Sequence, residues 1–391
     1  MAEGHIRHKG DSYYYSFEAA PVDGKRKRIE RFGGYTEKDA KRALRKALDE
    51  YDKAGVMLEL TNMSVADYIE YWFVHYVEAN LKYNTVHNYR NVVDKYIIPP
   101  LGVYKVQSLT PETMQRWIDW VVKNAKTPQG RPLAKHSVEI IFTVMKEALR
   151  RAVYPYRILR ENPMNYIDMP KFEPTPKATR AKMKIITLDQ YKQILQIFPP
   201  ADSFHLPLVI AFNTGMRRGE VCGLEWDKVN LEDGTIEVAR NMIQTGSGIY
   251  QLDTPKTAAG FRTIDIGPTL INALKSQKRH QMECRVRYGS LYHETNFVCT
   301  KDNGDPVLPG SIKYKSAEVA KKLGFPFNFH SLRHTHATML LDAGEKMKVV
   351  QERLGHSRIA TTMDTYSHVT KNMKKETVNL IEKMQHRSES W

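Results

Sequence analysis

The sequence predicts a multidomain chain, mainly α-helical with α+β parts. It should hold a small three-stranded sheet backed by a helix, a helical bundle, and a mostly helical last unit with a small antiparallel sheet. Three observations predict this. Residues 1–58 alternate like strands around a hairpin turn before a helical run, residues 62–172 carry capped amphipathic helices, and a basic Pro-rich stretch precedes a final unit with strand alternation in one region only. With 391 residues and 41% hydrophobic content, the chain can bury two or three cores.

In the first unit, Tyr13-Tyr14-Tyr15-Ser16-Phe17 alternates as a strand, Val22-Asp23-Gly24 makes the turn, and residues 25–32 form a basic second strand. Residues 5–8 add a third. Thr36 caps a helix over 37–53, in which Ala40, Ala43, Leu44, Ala47 and Leu48 recur at helical spacing. Between Lys25 and Lys46 stand ten Lys or Arg against three acids, a charge suited to a ribbon pressed into a DNA major groove. The candidate contacts are Tyr13, Tyr15, Lys25, Arg26, Lys27, Arg28 and Arg31. The plainer reading is a solvated basic face.

Ser64 opens a helix to residue 79 with Tyr68, Trp72, Phe73 and Tyr76 on its apolar side, and Asn84-Thr85 opens a second through residue 96. Pro99-Pro100-Leu101-Gly102 is expected to break that helix. Thr110-Pro111-Glu112 starts a third, and residues 136–153 form a fourth. The aromatic side chains read as core. Lys82, Thr85, Asn88, Arg90 and Lys95 at one end, with Lys135 and His136 at another, suit phosphate contacts that position without reading sequence.

Residues 173–185 are an extended basic tether in which Lys177 and Arg180 are candidate backbone contacts; a merely solvated linker is the alternative. The last unit, 186–391, begins with a helix capped by Thr187 and an apolar helix over 205–212 that ends at Asn213-Thr214-Gly215. Arg217 then lies in the first turn of a short helix with Glu220 on the same face, so the acid can orient the arginine. Residues 235–240, 249–252 and 263–266 alternate as strands, and the turn before the last holds Lys256 out on a loop.

The formal charge of +15 and pI of about 9.4 point to a polyanionic partner. No apolar run reaches membrane length, the N-terminus does not resemble a secretory signal, and no basic amphipathic membrane helix stands out, which leaves nucleic acid. Cys222, Cys284 and Cys299 are odd in number and far apart, so neither a disulfide framework nor a zinc cluster is expected, and the setting is reducing and intracellular.

Between Phe327 and His368 lies an unusual concentration of polar chemistry: His330-Ser331-Leu332-Arg333, Leu354-Gly355-His356 and Asp364-Thr365-Tyr366-Ser367-His368. A helix over 331–342 puts His330 and Arg333 one turn apart, with Leu332, Met339, Leu340 and Leu341 expected in the core. A second helix over 345–354 faces Val349, Val350 and Leu354 inward and ends at a left-handed Gly355, which fixes His356 at a helix terminus. Ser357 caps a short third helix, after which Tyr366 emerges. A tyrosine hydroxyl, with a pKa near 10, is a poor nucleophile unless cations stabilise its phenolate.

Thr214-Gly215-Met216-Arg217-Arg218-Gly219-Glu220, the Lys256 turn, His330-Ser331-Leu332-Arg333, Leu354-Gly355-His356 and Tyr366 stand in the order and at the spacings of tyrosine recombinases of the phage and transposon integrase family, which the chain resembles over its whole length. The resemblance implies an arm-type DNA-binding domain (1–58), a core-binding helical domain (62–172) and a catalytic domain (186–391). It implies catalytic roles for Arg217, Lys256, His330, Arg333, His356 and Tyr366, with Glu220 in support. Arg217 is preferred to Arg218 because the motif places its arginine three residues before the glutamate. His334 and His336 read as structural or solvent-facing, and His368 as a backbone or DNA contact.

Also implied are strand cleavage through a 3′-phosphotyrosine with no cofactor or metal, double-stranded attachment sites, a homotetramer on DNA, a possible excisionase and DNA-bending host factors, no membrane partner, and a bacterial cytoplasmic setting. Residues 370–386 look like a terminal amphipathic helix that docks on its own domain or on a neighbouring protomer. The alternatives are a resolvase or topoisomerase-like relative with the same chemistry, or a non-enzymatic DNA-binding regulator.

Overall fold

The structure, a computed structural model, describes residues 4–22, 25–54, 63–172, 185–255, 257–360 and 363, with the side chains of 19–27 and 49–54 outside the description. The expected tether and terminal helix therefore lie largely or wholly outside it. Two units make up the chain, Met1–Pro174 and Thr175–Trp391.

In the first unit, β1 (Gly4–Lys9), β2 (Ser12–Val22) and β3 (Lys25–Gly34) form an antiparallel sheet in that order. Helix α1 (Glu37–Ala54) covers one face, and Thr36 caps it by accepting from the Asp39 amide at 3.2 Å. Tyr15, Phe17 and Ala47 form the core beneath it. This corrects the expectation for Tyr15: it is 7% exposed and packs under α1, so it is no DNA contact. Arg31 is directly opposite Tyr15 and thus shares the helix-side face. A register shift between Tyr13 and Tyr14 ends the simple alternation on which the expectation rested.

Helix α2 (Val65–Trp72) runs on through a π-helical turn, Phe73–Glu78. Ser64 caps it, accepting from the Asp67 amide at 3.0 Å. Helix α3 (Tyr83–Val92) continues through a π-helical turn, Val93–Ile97, into α4 (Ile98–Leu101). The prolines expected to break this helix instead sit in the first turn of α4, where a missing amide proton costs little because the preceding turn is already π-spaced. Helices α5 (Pro111–Asn124) and α6 (Lys135–Val153) complete the bundle. Its core includes Tyr68, Ile69, Trp72, Phe73, Trp117 and Leu149, with the Trp117 indole donating to the Tyr96 carbonyl at 2.8 Å.

In the second unit, α7 (Leu188–Ile197) starts in a reciprocal cap between Thr187 and Gln190, α8 (His205–Thr214) is buried on nearly every side, and α9 (Arg218–Cys222) follows at once. The strands are β4 (Val229–Asn230), β5 (Thr235–Val238), β6 (Asn241–Gln244), β7 (Tyr250–Asp253) and β8 (Arg262–Asp265). They form two antiparallel sheets, β4-β5-β8 and β6-β7; the run expected over 235–240 is β5 alone, and β6, which strand alternation did not single out, pairs with β7 in the second sheet. Then come α10 (Pro268–Tyr288), α11 (Pro309–Leu323), α12 (His330–Asp342) and α13 (Met347–Leu354). Leu332 and Leu341 are core as expected, whereas Met339 and Val349 are exposed, at 41% and 43%. Helix α12 presents a narrower apolar stripe than its composition suggests, because it spends much of its buried face on Ser331, Arg333, Thr335 and His336; α13 buries Val350, Gln351 and Leu354 instead of Val349.

Candidate active site

Two helix ends meet in the second unit. Helix α8 stops at Gly215 and α13 at Gly355, both left-handed with φ of 67° and 68°. Each glycine is required by close approach as well as by dihedral. A Cβ on Gly215 would lie 2.8 Å from Leu354 Cδ2, and one on Gly355 would lie 2.7 Å from the Ala259 carbonyl. The residues following these glycines carry Arg217 and His356, which are thereby brought together.

Arg217 caps the start of α9: its amide donates to Glu220 Oε2 at 2.9 Å and its Nη1 to Oε1 at 2.8 Å. Its Nη2 reaches across to the Gly355 carbonyl at 3.2 Å. Arg333, 2% exposed, rises from α12 and donates from Nη1 to the Gly215 carbonyl at 2.8 Å and from Nη2 to the Leu354 carbonyl at 2.6 Å. The two guanidinium groups are thus held by backbone carbonyls of two helix ends, with their planes fixed.

Glu220 is 3% exposed and accepts from Arg262 Nη2 at 2.8 Å as well as from Arg217. Burial works to raise its pKa, yet Arg262 and Arg217 outweigh it and hold the carboxyl at about 2. Arg262 in turn donates to the Arg353 carbonyl at 2.7 Å and the Gly260 carbonyl at 3.0 Å, tying the start of β8 to the end of α13.

His330 opens α12 and His356 follows α13, and burial followed by the neighbouring cations pushes each down to about 4. Arg333 and Arg217 act on both rings, which places all four groups within electrostatic reach of one another. His336 plays a different part. Its Nδ1 pairs with the Phe212 carbonyl at 2.9 Å and its Nε2 with Arg353 Nε at 3.0 Å. A carbonyl needs a donor and a guanidinium an acceptor, so the ring is neutral with its proton on Nδ1. A cleft of about 550 Å³ opens beside Arg217, lined among others by Arg218, Lys313, Phe329 and His330.

The structure thus brings together Arg217, Glu220, His330, Arg333 and His356. Lys256 and Tyr366 lie outside the described residues. The bracing residues Arg262, Arg353 and His336 were not singled out for the site by sequence; the contacts that reveal them span 17 to 140 positions and leave no local signal.

The other candidate contacts fare unequally. On the sheet face away from α1, Arg28 donates to Ser16 Oγ at 2.9 Å, beside Arg7, Tyr14 and Phe32, which strand register rather than composition reveals. Tyr13 is half-buried against His8, and the side chains of Lys25, Arg26 and Lys27 lie outside the description. Arg90 is engaged: it pairs with Glu70 and lies 3.7 Å over the Phe73 ring. Lys82 precedes α3, Thr85 is half-buried in its first turn, and Asn88 is exposed. Lys135 and His136 open α6 within 3.8 and 3.6 Å of Glu139. Lys177 and Arg180 lie outside the described residues.

Three family models match successive parts of the chain: an arm DNA-binding domain over residues 5–51, the SAM-like N-terminal domain of phage integrases over 64–120, and the phage integrase family over 184–373. Among curated proteins, the ICEBs1 integrase of Bacillus subtilis is 27% identical over 78% of this chain and 79% of its own length. An integrase of Streptomyces ambofaciens is 24% identical over 86% and 84%. A XerC-like tyrosine recombinase of Caldanaerobacter subterraneus is 32% identical over 44% of this chain, a match spanning 47% of that relative. Among solved structures, the Tn1549 transposon integrase in complex with circular intermediate DNA superposes with a TM-score of 0.59 at 22% identity, covering 82% of this chain and all of that one. A lambda integrase dimer bound to a core site gives 0.53 at 16% identity over 92% and 93%.

Proposed function

We propose the roles that follow from one premise: the chain belongs to the phage integrase family and is a tyrosine-type site-specific DNA recombinase. Tyr366 is the nucleophile. Its phenolic oxygen attacks a DNA phosphorus, the bond to the 5′-oxygen breaks, and a 3′-phosphotyrosine with a free 5′-hydroxyl results. The phosphoester energy is kept for rejoining, when a 5′-hydroxyl attacks the phosphotyrosine and returns the tyrosine.

Arg217 and Arg333 stabilise the charge that builds on the non-bridging oxygens, and their fixed planes are what carries this reading. Because burial and the two arginines hold His330 and His356 mostly neutral near pH 7, the arginines supply the charge and His356 an uncharged N–H donor. Lys256 protonates the departing 5′-oxygen. In support, the turn after it ends at Ala258–Gly260, and the Ala259 carbonyl lies against Gly355 beside His356. His330 assists proton transfer near the nucleophile.

The finer reading is an integrase that inserts and excises a mobile element. It acts as a homotetramer on paired attachment sites, with residues 1–58 holding arm sites, 62–172 core sites, and 370–386 docking onto a neighbouring protomer. A nicked suicide duplex carrying the core site tests the chemistry. The wild type should trap a covalent adduct that survives SDS, and Tyr366→Phe should trap none. Equal adduct from both would overturn the nucleophile.

A further inference from the structure

Helix α10 carries His280 and Cys284 one turn apart, and the turn between Thr300 and Pro306 brings Asp302 against them. His280 Nε2 lies 3.1 Å from Asp302 Oδ1 and 3.5 Å from Cys284 Sγ, and all three ligand atoms fall within 4.8 Å of one another. The two contacts converge on one nitrogen, which offers them a single proton or a single lone pair. A cation at the common centre satisfies all three.

The two separations from His280 Nε2 also suit it. Around tetrahedral zinc, with bonds of about 2.0–2.1 Å to nitrogen and oxygen and about 2.3 Å to sulfur, ligand atoms stand about 3.3 Å (N to O) and about 3.5 Å (N to S) apart.

The scaffold is already built. Gln281, between the two helical ligands, donates to the Phe297 carbonyl at 3.0 Å and to Thr300 Oγ1 at 2.8 Å, which fixes α10 against the segment leading into the turn. The turn is closed by the Lys301 amide on the Asp305 carbonyl at 2.8 Å, and His293 pairs with Asp305 at 2.6 Å behind it. Cys284 is buried and carries no disulfide, His280 is half-buried, and Asp302 is exposed, so the fourth position opens to solvent.

We infer that His280, Cys284 and Asp302 form a site for a zinc-class divalent cation, with a solvent molecule as fourth ligand, that clamps the second half of α10 to the 300–306 turn. A thiolate and a carboxylate neutralise the dication, and the thiolate and imidazole exclude magnesium and calcium in favour of softer metals. Binding converts the Cys284 thiol to thiolate and releases one proton to solvent. None of the residues around Arg217 and Arg333 takes part, and the proposal stands independently of the recombination chemistry.

The test titrates cobalt(II) into full-length, chelator-stripped protein. The wild type should show a thiolate-to-cobalt charge-transfer band saturating at one equivalent and abolished by excess zinc. Cys284→Ser should lose the band while Cys222 and Cys299 remain. Asp302→Asn and His280→Gln, both at solvent-accessible positions, should each raise the zinc Kd at least tenfold. Far-UV circular dichroism and a thermal melt of the metal-free protein certify that each variant is folded. A wild type without the band, a band that persists in Cys284→Ser, or an unchanged Kd in both other variants would overturn the site.

Discussion

Arg333 Nη1 donates to the Gly215 carbonyl at 2.8 Å, while Arg217, two residues past that glycine, is held by the carbonyl of Gly355 at 3.2 Å. The braces cross, so the helix end that introduces one arginine orients the other. Gly215→Ala should break both. The left-handed backbone costs a β-carbon about 1–2 kcal/mol, and the added methyl meets Leu354 and His336 below 3.0 Å. A lower Tm and a single-turnover cleavage rate down at least tenfold are expected, with core-site binding less affected. Wild-type values for both Tm and rate would refute the brace.

Glu220 anchors the same assembly through its buried pair with Arg262. Replacing it by Gln leaves Arg262 6% exposed and without its countercharge, a loss on the order of 3–5 kcal/mol. The pH dependence has a definite sign. A carboxyl held at about 2 against 4.5 when unfolded stabilises fully above 4.5, and that stability fades as pH falls toward 2. Chemical denaturation from pH 6 to 3 should therefore show wild type converging on Glu220→Gln at the acid end. A constant gap would contradict the assignment.

His336 reports in a different window. Burial, then Arg353, pushes it down to about 4 from 6.5, so the native state binds fewer protons than the unfolded chain. Its contribution is complete above 6.5 and is lost as pH falls toward 4. His336→Gln, which keeps a donor and an acceptor, should flatten the loss of stability between those values by up to one proton, or about 1.4 kcal/mol per pH unit. An unchanged slope would show that the ring is not held neutral.

Much of this was legible from local pattern. The capped helices, the left-handed Gly355 and the Arg217–Glu220 pair follow from spacings of three or four residues, which geometry turns directly into contact. Tyr15 was misjudged because alternation says that a strand has two faces and not which one a helix will cover. Arg262 and Arg353 stayed hidden, and His336 reads from sequence only as structural or solvent-facing, because their partners are distant in sequence and several are backbone carbonyls, which every residue possesses and no sequence advertises. The His280–Cys284–Asp302 cluster was missed for a related reason: cysteines were weighed by their spacing from one another, while the partners are a histidine one turn away and an aspartate on a later turn.

Basic residues of the first unit divide into those free to meet a polyanion and those spent on the fold, and salt dependence separates them. Arg90 is pinned between Glu70 and the Phe73 ring inside the bundle, so Arg90→Ala should lower stability by about 1 kcal/mol and leave the slope of log K against log salt nearly unchanged. Arg7 lies opposite Tyr14 on the sheet face that α1 leaves open, and it is exposed. If that face meets the phosphates of an arm site, Arg7→Ala should reduce the slope by about 1 and weaken binding across sequences alike. Deletion of residues 1–58 should remove the arm-site slope and spare cleavage at the core site. Should Arg7→Ala leave the slope intact while Arg90→Ala reduces it, the DNA-facing surface would lie on the bundle instead of the sheet, and the division of labour proposed for the first unit would fail.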